Sequence, residues 1–104
     1  KHGPIALIEK DTVVIALATQ PSVAQKTISN ILETVARGAK VILIASQNQN
    51  TEGFEYVIRI PDVDPLLSCI PATVLLQELA YYVAKEKGCD VDKPRNLAKS
   101  VTVE

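Results

Sequence analysis

Thr12-Val-Val-Ile-Ala-Leu-Ala18 is apolar without alternation. A run of that kind fits a strand buried on both faces of a parallel sheet better than a half-wet antiparallel strand. Ser22, with Gln25 three residues on, matches a capping-box start for a helix. The helix is expected to run to about Arg37, with Val23, Ile28, Ile31, Leu32 and Val35 on its inner side and Gly38 as its stop. Lys40 then introduces a second buried run, Val41-Ile-Leu-Ile-Ala45. Strand, helix and strand of this form make a right-handed parallel crossover. The expected fold class is therefore α/β, a parallel sheet flanked by helices.

Working outward, Lys1 to Lys10 reads as a loop or helical turn, with Pro4 suited to a first helical position. Ser46 to Thr51 is a polar connection. It is a candidate ligand loop by its place at a strand end, but without glycine before Gly53 it is expected to be a solvated link. Tyr56-Val-Ile-Arg-Ile60 is a third strand, placed nearer the sheet edge because Arg59 interrupts its apolar run. Leu66 to Lys87 forms a long apolar helix, expected to split or kink at Pro71. Its second half should turn Val74, Leu75, Leu79, Tyr82 and Val83 to the core and Glu78, Lys85, Glu86 and Lys87 to water.

The chain has 104 residues, enough for one domain with a modest core. Hydrophobic residues make up 47% and aromatics only 4%, so that core must be aliphatic. A net charge of -1 argues against nucleic acid, which needs a basic face. No run is expected to approach transmembrane length, and no signal peptide is evident. Cys69 and Cys89 have no spacing that reads as a metal or redox motif. Both are expected as reduced thiols in a cytoplasmic protein, Cys69 in the core and Cys89 at a surface or turn.

The last fifteen residues are Asp90-Val-Asp-Lys-Pro-Arg-Asn-Leu-Ala-Lys-Ser-Val-Thr-Val-Glu104. They are neither Gly/Ser-rich nor a block of charge, and Pro94 restricts Lys93 before it. Such punctuation is expected of a segment that lies along one path. Asp90, Asp92 and Arg95 are candidates to anchor it by ion pairs. Lys99 by itself reads as a solvated ammonium. It becomes a nucleophile only where burial or a nearby positive charge lowers a pKa of about 10.4. His2, the single histidine, has the ordinary pKa for proton transfer near neutrality.

This tail, together with Lys1-His2-Gly3-Pro4-Ile5-Ala6-Leu7-Ile8 at the other end, resembles the isomerising glutamine–fructose-6-phosphate aminotransferases (glucosamine-6-phosphate synthases). The resemblance implies that residues 1–104 are the C-terminal portion of a second sugar-isomerase domain, of flavodoxin-like three-layer αβα type, with residues 90–104 as its active-site tail. It implies Lys99 as the Schiff-base lysine, His2 as the ring-opening group in the neighbouring subunit's site, and Ala98 as a lining residue of the sugar pocket. The substrate pair would be fructose 6-phosphate and glucosamine 6-phosphate, with no metal and no organic cofactor. The complete enzyme would be a cytoplasmic homodimer supplying the UDP-N-acetylglucosamine pathway. The family's general base, a glutamate upstream of Lys-His-Gly-Pro, has no counterpart here. The glutaminase and first isomerase domains would also be missing, so the chain alone should be inactive. Alternatives are a non-catalytic sugar-phosphate-binding module on the same fold, or an interaction domain without ligand. Lys99 and His2 argue against the first, since a sensor needs neither a nucleophilic amine nor a ring-opening acid. The tail argues against the second.

Overall fold

The computed structural model describes residues 3–93, which fall into two units divided between Ala72 and Thr73. In the first unit a single 3-10 turn, Pro4–Leu7, precedes strand β1, Val13–Ala18. Helix α1, Pro21–Val35, leads to β2, Lys40–Ser46, and a helix-free connection leads to β3, Tyr56–Ile60. The three strands form one parallel sheet in the order β1-β2-β3. A 3-10 turn, Pro65–Leu67, comes just before helix α2, Cys69–Glu86, whose remaining turns belong to the second unit.

Register explains the core. Val14, Ala16 and Ala18 pair with Val41, Leu43 and Ala45, so side chains of one parity share one sheet face. Ala24 and Ile28 of α1 join that cluster, with Ile31, Val35, Phe54 and Val57 packed against it. The small side chains at Ala16, Ala18, Ala24 and Ala45 let helix and sheet approach closely. Leu43 is fully buried, a burial that stabilises by roughly 1.5–3 kcal/mol. Gly38, at φ 89°, ends α1: its N–H donates to Val35 O and that of Ala39 to Thr34 O, the two bonds of a Schellman cap. A Cβ on Gly38 would stand 3.2 Å from Lys10 Cα, a tight contact that favours glycine in addition to the φ.

The three parallel strands and the crossover stand as expected. Other expectations need correction. The α1 N-cap is Gln20 and makes no side-chain cap bond; Pro21 takes the first helical position and puts Ser22 inside the helix. Val23 and Leu32 are exposed, whereas Ile28, Ile31 and Val35 face inward as expected and Ala24 joins them. Strand β1 is not buried on both faces, since Val13, Ile15 and Leu17 are all exposed. Pro71 does not split a helix. It sits in the first turn of α2, where its missing N–H has no intrahelical acceptor to forgo, and the break comes earlier, between Leu67 and Cys69. Along α2, Val74, Tyr82 and Val83 are exposed, and Ala72 is its one buried residue among those described.

The expectation of no run near transmembrane length also needs amending. Helical residues Pro65–Glu86 number 22 and include an 18-residue window of mean hydropathy 1.4. That is long and apolar enough to cross a membrane by length and composition. A helix apolar around much of its circumference serves equally as one enclosed by protein.

Candidate functional site

The three residues singled out for chemistry, His2, Ala98 and Lys99, lie outside the described residues. The structure describes two other regions, each in its own unit: the carboxyl ends of the strands in the first, and the end of α2 in the second.

At the carboxyl ends, Thr19 follows β1 and Ser46 closes β2. Ligands in open parallel sheets bind outside these ends, so the polar groups there are the natural place to look. Ser46 Oγ donates to Thr19 O at 3.4 Å, and the buried Ser68 Oγ stands 3.5 Å from Thr19 Oγ1. Gln20 Nε2 donates to Pro65 O at 2.6 Å and to Ser68 Oγ at 3.2 Å. Ser68 Oγ in turn donates to Pro65 O at 2.8 Å. Among the described residues no buried side-chain polar atom lacks a partner. The cluster is therefore self-satisfied, and it joins the β1–α1 corner to the turn before α2.

The connection Ser46–Thr51 is pinned rather than free. Arg59 Nη1 donates to Ser46 O at 2.6 Å, Gln49 O at 2.7 Å and Gln47 O at 3.3 Å, and Nη2 donates to Thr51 Oγ1 at 2.7 Å. Arg59 pairs in register with Ala45, one residue before the loop begins, which aims its guanidinium into the loop's curl. The planar fork of arginine suits several acceptors at once, and bonds to a charged donor are the stronger kind. Sequence reading took Arg59 only as an interruption, whereas the interruption marks a clamp. The loop's own main chain occupies the guanidinium, so this arginine reads as structural and not as a phosphate ligand.

In the second unit, α2 ends in the same manner as α1. Gly88 is at φ 69°, its N–H donates to Lys85 O at 2.9 Å, and that of Cys89 donates to Ala84 O at 2.9 Å. Directly afterwards Asp90 Oδ1 accepts from the N–H of Asp92 and of Lys93, each at 3.0 Å. Asp90 was expected to anchor the tail through an ion pair; the bonds seen are to backbone, and Arg95 lies outside the described residues. A cavity of about 730 Å³ runs along this exit, lined by Ala80, Tyr81, Ala84, Lys87 and Val91 among others. Cys89 is exposed, as expected; Cys69 is exposed too, which corrects its expected place in the core. Among the described residues no cluster of His, Cys, Asp or Glu could hold a metal ion.

Lys40 Nζ lies 2.9 Å from Asp11 Oδ1 on the surface, and this bond, with the carboxylate's charge, raises the lysine pKa. Bonding to Glu55, followed by that carboxylate's charge, raises the Tyr56 pKa.

A parallel α/β sheet with this order places the chain in a recognisable class. The C-terminal domain of glucosamine-fructose-6-phosphate aminotransferase from Francisella tularensis superposes with a TM-score of 0.78, at 33% identity over 88% of this chain and 27% of that one. No family model matches the chain. Curated relatives are more telling. A "Glutamine--fructose-6-phosphate aminotransferase [isomerizing]" of Clostridium acetobutylicum is 56% identical over the whole chain, that of Clostridium tetani 58%, and that of Methanosarcina acetivorans 51%. The chain belongs to the isomerising glutamine–fructose-6-phosphate aminotransferase family, and spans 17% of the length of these relatives.

Proposed function

We propose that residues 1–104 are the C-terminal portion of the second sugar-isomerase domain of such an aminotransferase, with residues 90–104 as its active-site tail. The supporting observation is identity of 51–58% along the entire chain to relatives carrying that name. In this reading His2 moves the proton that opens cyclic fructose 6-phosphate, acting in the neighbouring subunit's site of a cytoplasmic homodimer. Lys99, as the neutral amine, adds to C2 of the open ketone, and water leaves to give an imine. Ammonia from glutamine then displaces the lysine. A base outside this chain takes a proton from C1, and a proton added at C2 completes glucosamine 6-phosphate. Ala98 leaves room for the sugar beside the lysine. The pinned strand-end loop and self-satisfied polar cluster give this segment the part of a scaffold, with the chemistry in the tail.

The test uses the complete enzyme. Incubation with fructose 6-phosphate, borohydride reduction and peptide mass spectrometry should find the adduct on Lys99, and Lys99→Arg should abolish it. Bound sugar phosphate with no adduct on Lys99 would refute the reading.

A further inference from the structure

We infer that Leu66, Leu67 and Ile70 form a docking knob for the portion of the longer polypeptide that precedes residue 1, and that they meet there an apolar surface rimmed by basic side chains. This rests on the reading of residues 1–104 as the C-terminal piece of an aminotransferase. The observations all lie within the first unit. The turn Pro65–Leu67 and the start of α2 are built inside out: Ser68 is buried, while Leu66, Leu67 and Ile70 are 84%, 54% and 59% exposed. A loose backbone does not account for this. Asp64 Oδ1 caps the turn by accepting from Leu66 N–H at 2.9 Å, and Leu67 N–H donates to Asp64 O at 2.8 Å. Gln20 Nε2 and Ser68 Oγ both donate to Pro65 O. The hydrophobes are therefore displayed by a fastened turn, and contiguous apolar side chains left exposed in this way mark interaction sites.

Placement and charge narrow the occupant. Residues 61–65 carry the chain from the end of β3, past β2, to the corner after β1, so the knob stands at the carboxyl ends of the strands. Asp62 and Asp64 flank it, and neither forms an ion pair among the described residues. Two copies of this patch facing each other across a twofold axis would set those carboxylates together, which disfavours self-pairing. A different surface, carrying lysine or arginine, fits better. The curated relatives supply one, since the chain spans only 17% of their length and the remainder belongs to the same polypeptide. Contacts between domains of one chain commonly bury about 600–1,500 Å², and the knob would be the apolar centre of such a contact.

The experiment places the photo-crosslinker p-benzoylphenylalanine at position 66 of the full-length enzyme and maps the products by gel and peptide mass spectrometry. The expected product keeps the mass of a single chain and joins position 66 to a peptide from upstream of residue 1. In parallel, Leu66→Glu in the full-length enzyme should speed tryptic cleavage between the upstream portion and residues 1–104 by about tenfold, the factor lost with one buried leucine. Leu66→Ile should stay within about twofold of the parent. A product of twice the chain mass would overturn the inference by assigning the knob to a second copy. A crosslink confined to residues 1–104 would overturn it, as would no crosslink together with parent-like cleavage of Leu66→Glu. The Lys99 adduct is scored on the same enzyme. A missing adduct with the upstream crosslink intact fails the reading of Lys99 alone, and an adduct without that crosslink fails this inference alone.

Discussion

Replacing Arg59 by methionine keeps a long apolar stem in β3 and removes the four Arg59 bonds to the Ser46–Thr51 connection. Three main-chain carbonyls and the Thr51 hydroxyl lose the guanidinium at once, and of these Ser46 O keeps the Gln49 N–H. Hydrogen bonds to a charged group contribute about 1.5–3 kcal/mol each. The Gln47 bond is exposed and the other three are only part-buried, so the freed oxygens can turn to water and the net loss is set nearer one such bond than four. We take about 2 kcal/mol, which predicts local opening roughly thirtyfold more frequent. The amides that report it are those bonded across the same connection, Gln49 N–H to Ser46 O and Phe54 N–H to Thr51 O. Amide hydrogen exchange of the full-length protein should show both accelerated by about that factor. Amides inside the β1–β2 ladder should be unaffected. Arg59→Lys should fall between the two, since an ammonium lacks the planar fork. Unchanged protection at Gln49 and Phe54 in Arg59→Met would refute the clamp. Acceleration spread evenly through β1 and β2 would refute its locality.

Gly38→Ala and Gly88→Ala each force a left-handed backbone on alanine, at about 1–2 kcal/mol. Only the first also drives a Cβ to 3.2 Å from Lys10 Cα, so Gly38→Ala should lower the melting temperature more; equal losses would contradict that contact. Lys40 should titrate above its ordinary 10.5, and Asp11→Asn should lower it toward that value, both read by carbon NMR at Cε. Because the folded value is the higher one, the stability Lys40 lends is complete below 10.5 and lost as the pH climbs through the raised value. A lysine indifferent to Asp11→Asn would disprove the pairing.

Strands β1 and β2 were legible because each carries an unbroken aliphatic run, β3 as a shorter run interrupted by Arg59, and α1 because its apolar spacing ends on a glycine. What could not be read was what lies on top of them. An apolar residue is written the same way whether its neighbour is present or belongs to another part of a longer protein. Val13, Ile15 and Leu17 illustrate this, as do Val74, Tyr82 and Val83. Pro71 misled for a different reason: its cost depends on its position within a turn, and one turn's shift in the start of α2 removes it. The site was legible as motif only. The tail's residues name its relatives, while His2, Ala98 and Lys99 fall outside residues 3–93. Asp90 was singled out, but as an ion-pair anchor; its bonds are to backbone, as suits an aspartate shortly after a helix-ending glycine. Arg59 could not, because its acceptors come from a loop whose path is set by tertiary structure.

That clamp has an evolutionary consequence. Three of the four groups it holds are backbone oxygens, which every residue type supplies equally. Gln47, Asn48 and Gln49 can be exchanged without touching the grip, whereas Thr51 and Arg59 contribute their side chains to it. The connection's shape is thereby uncoupled from most of its spelling. Homologues are free to drift there, and an engineer seeking a place to introduce new side chains at the strand ends has a ready-made one.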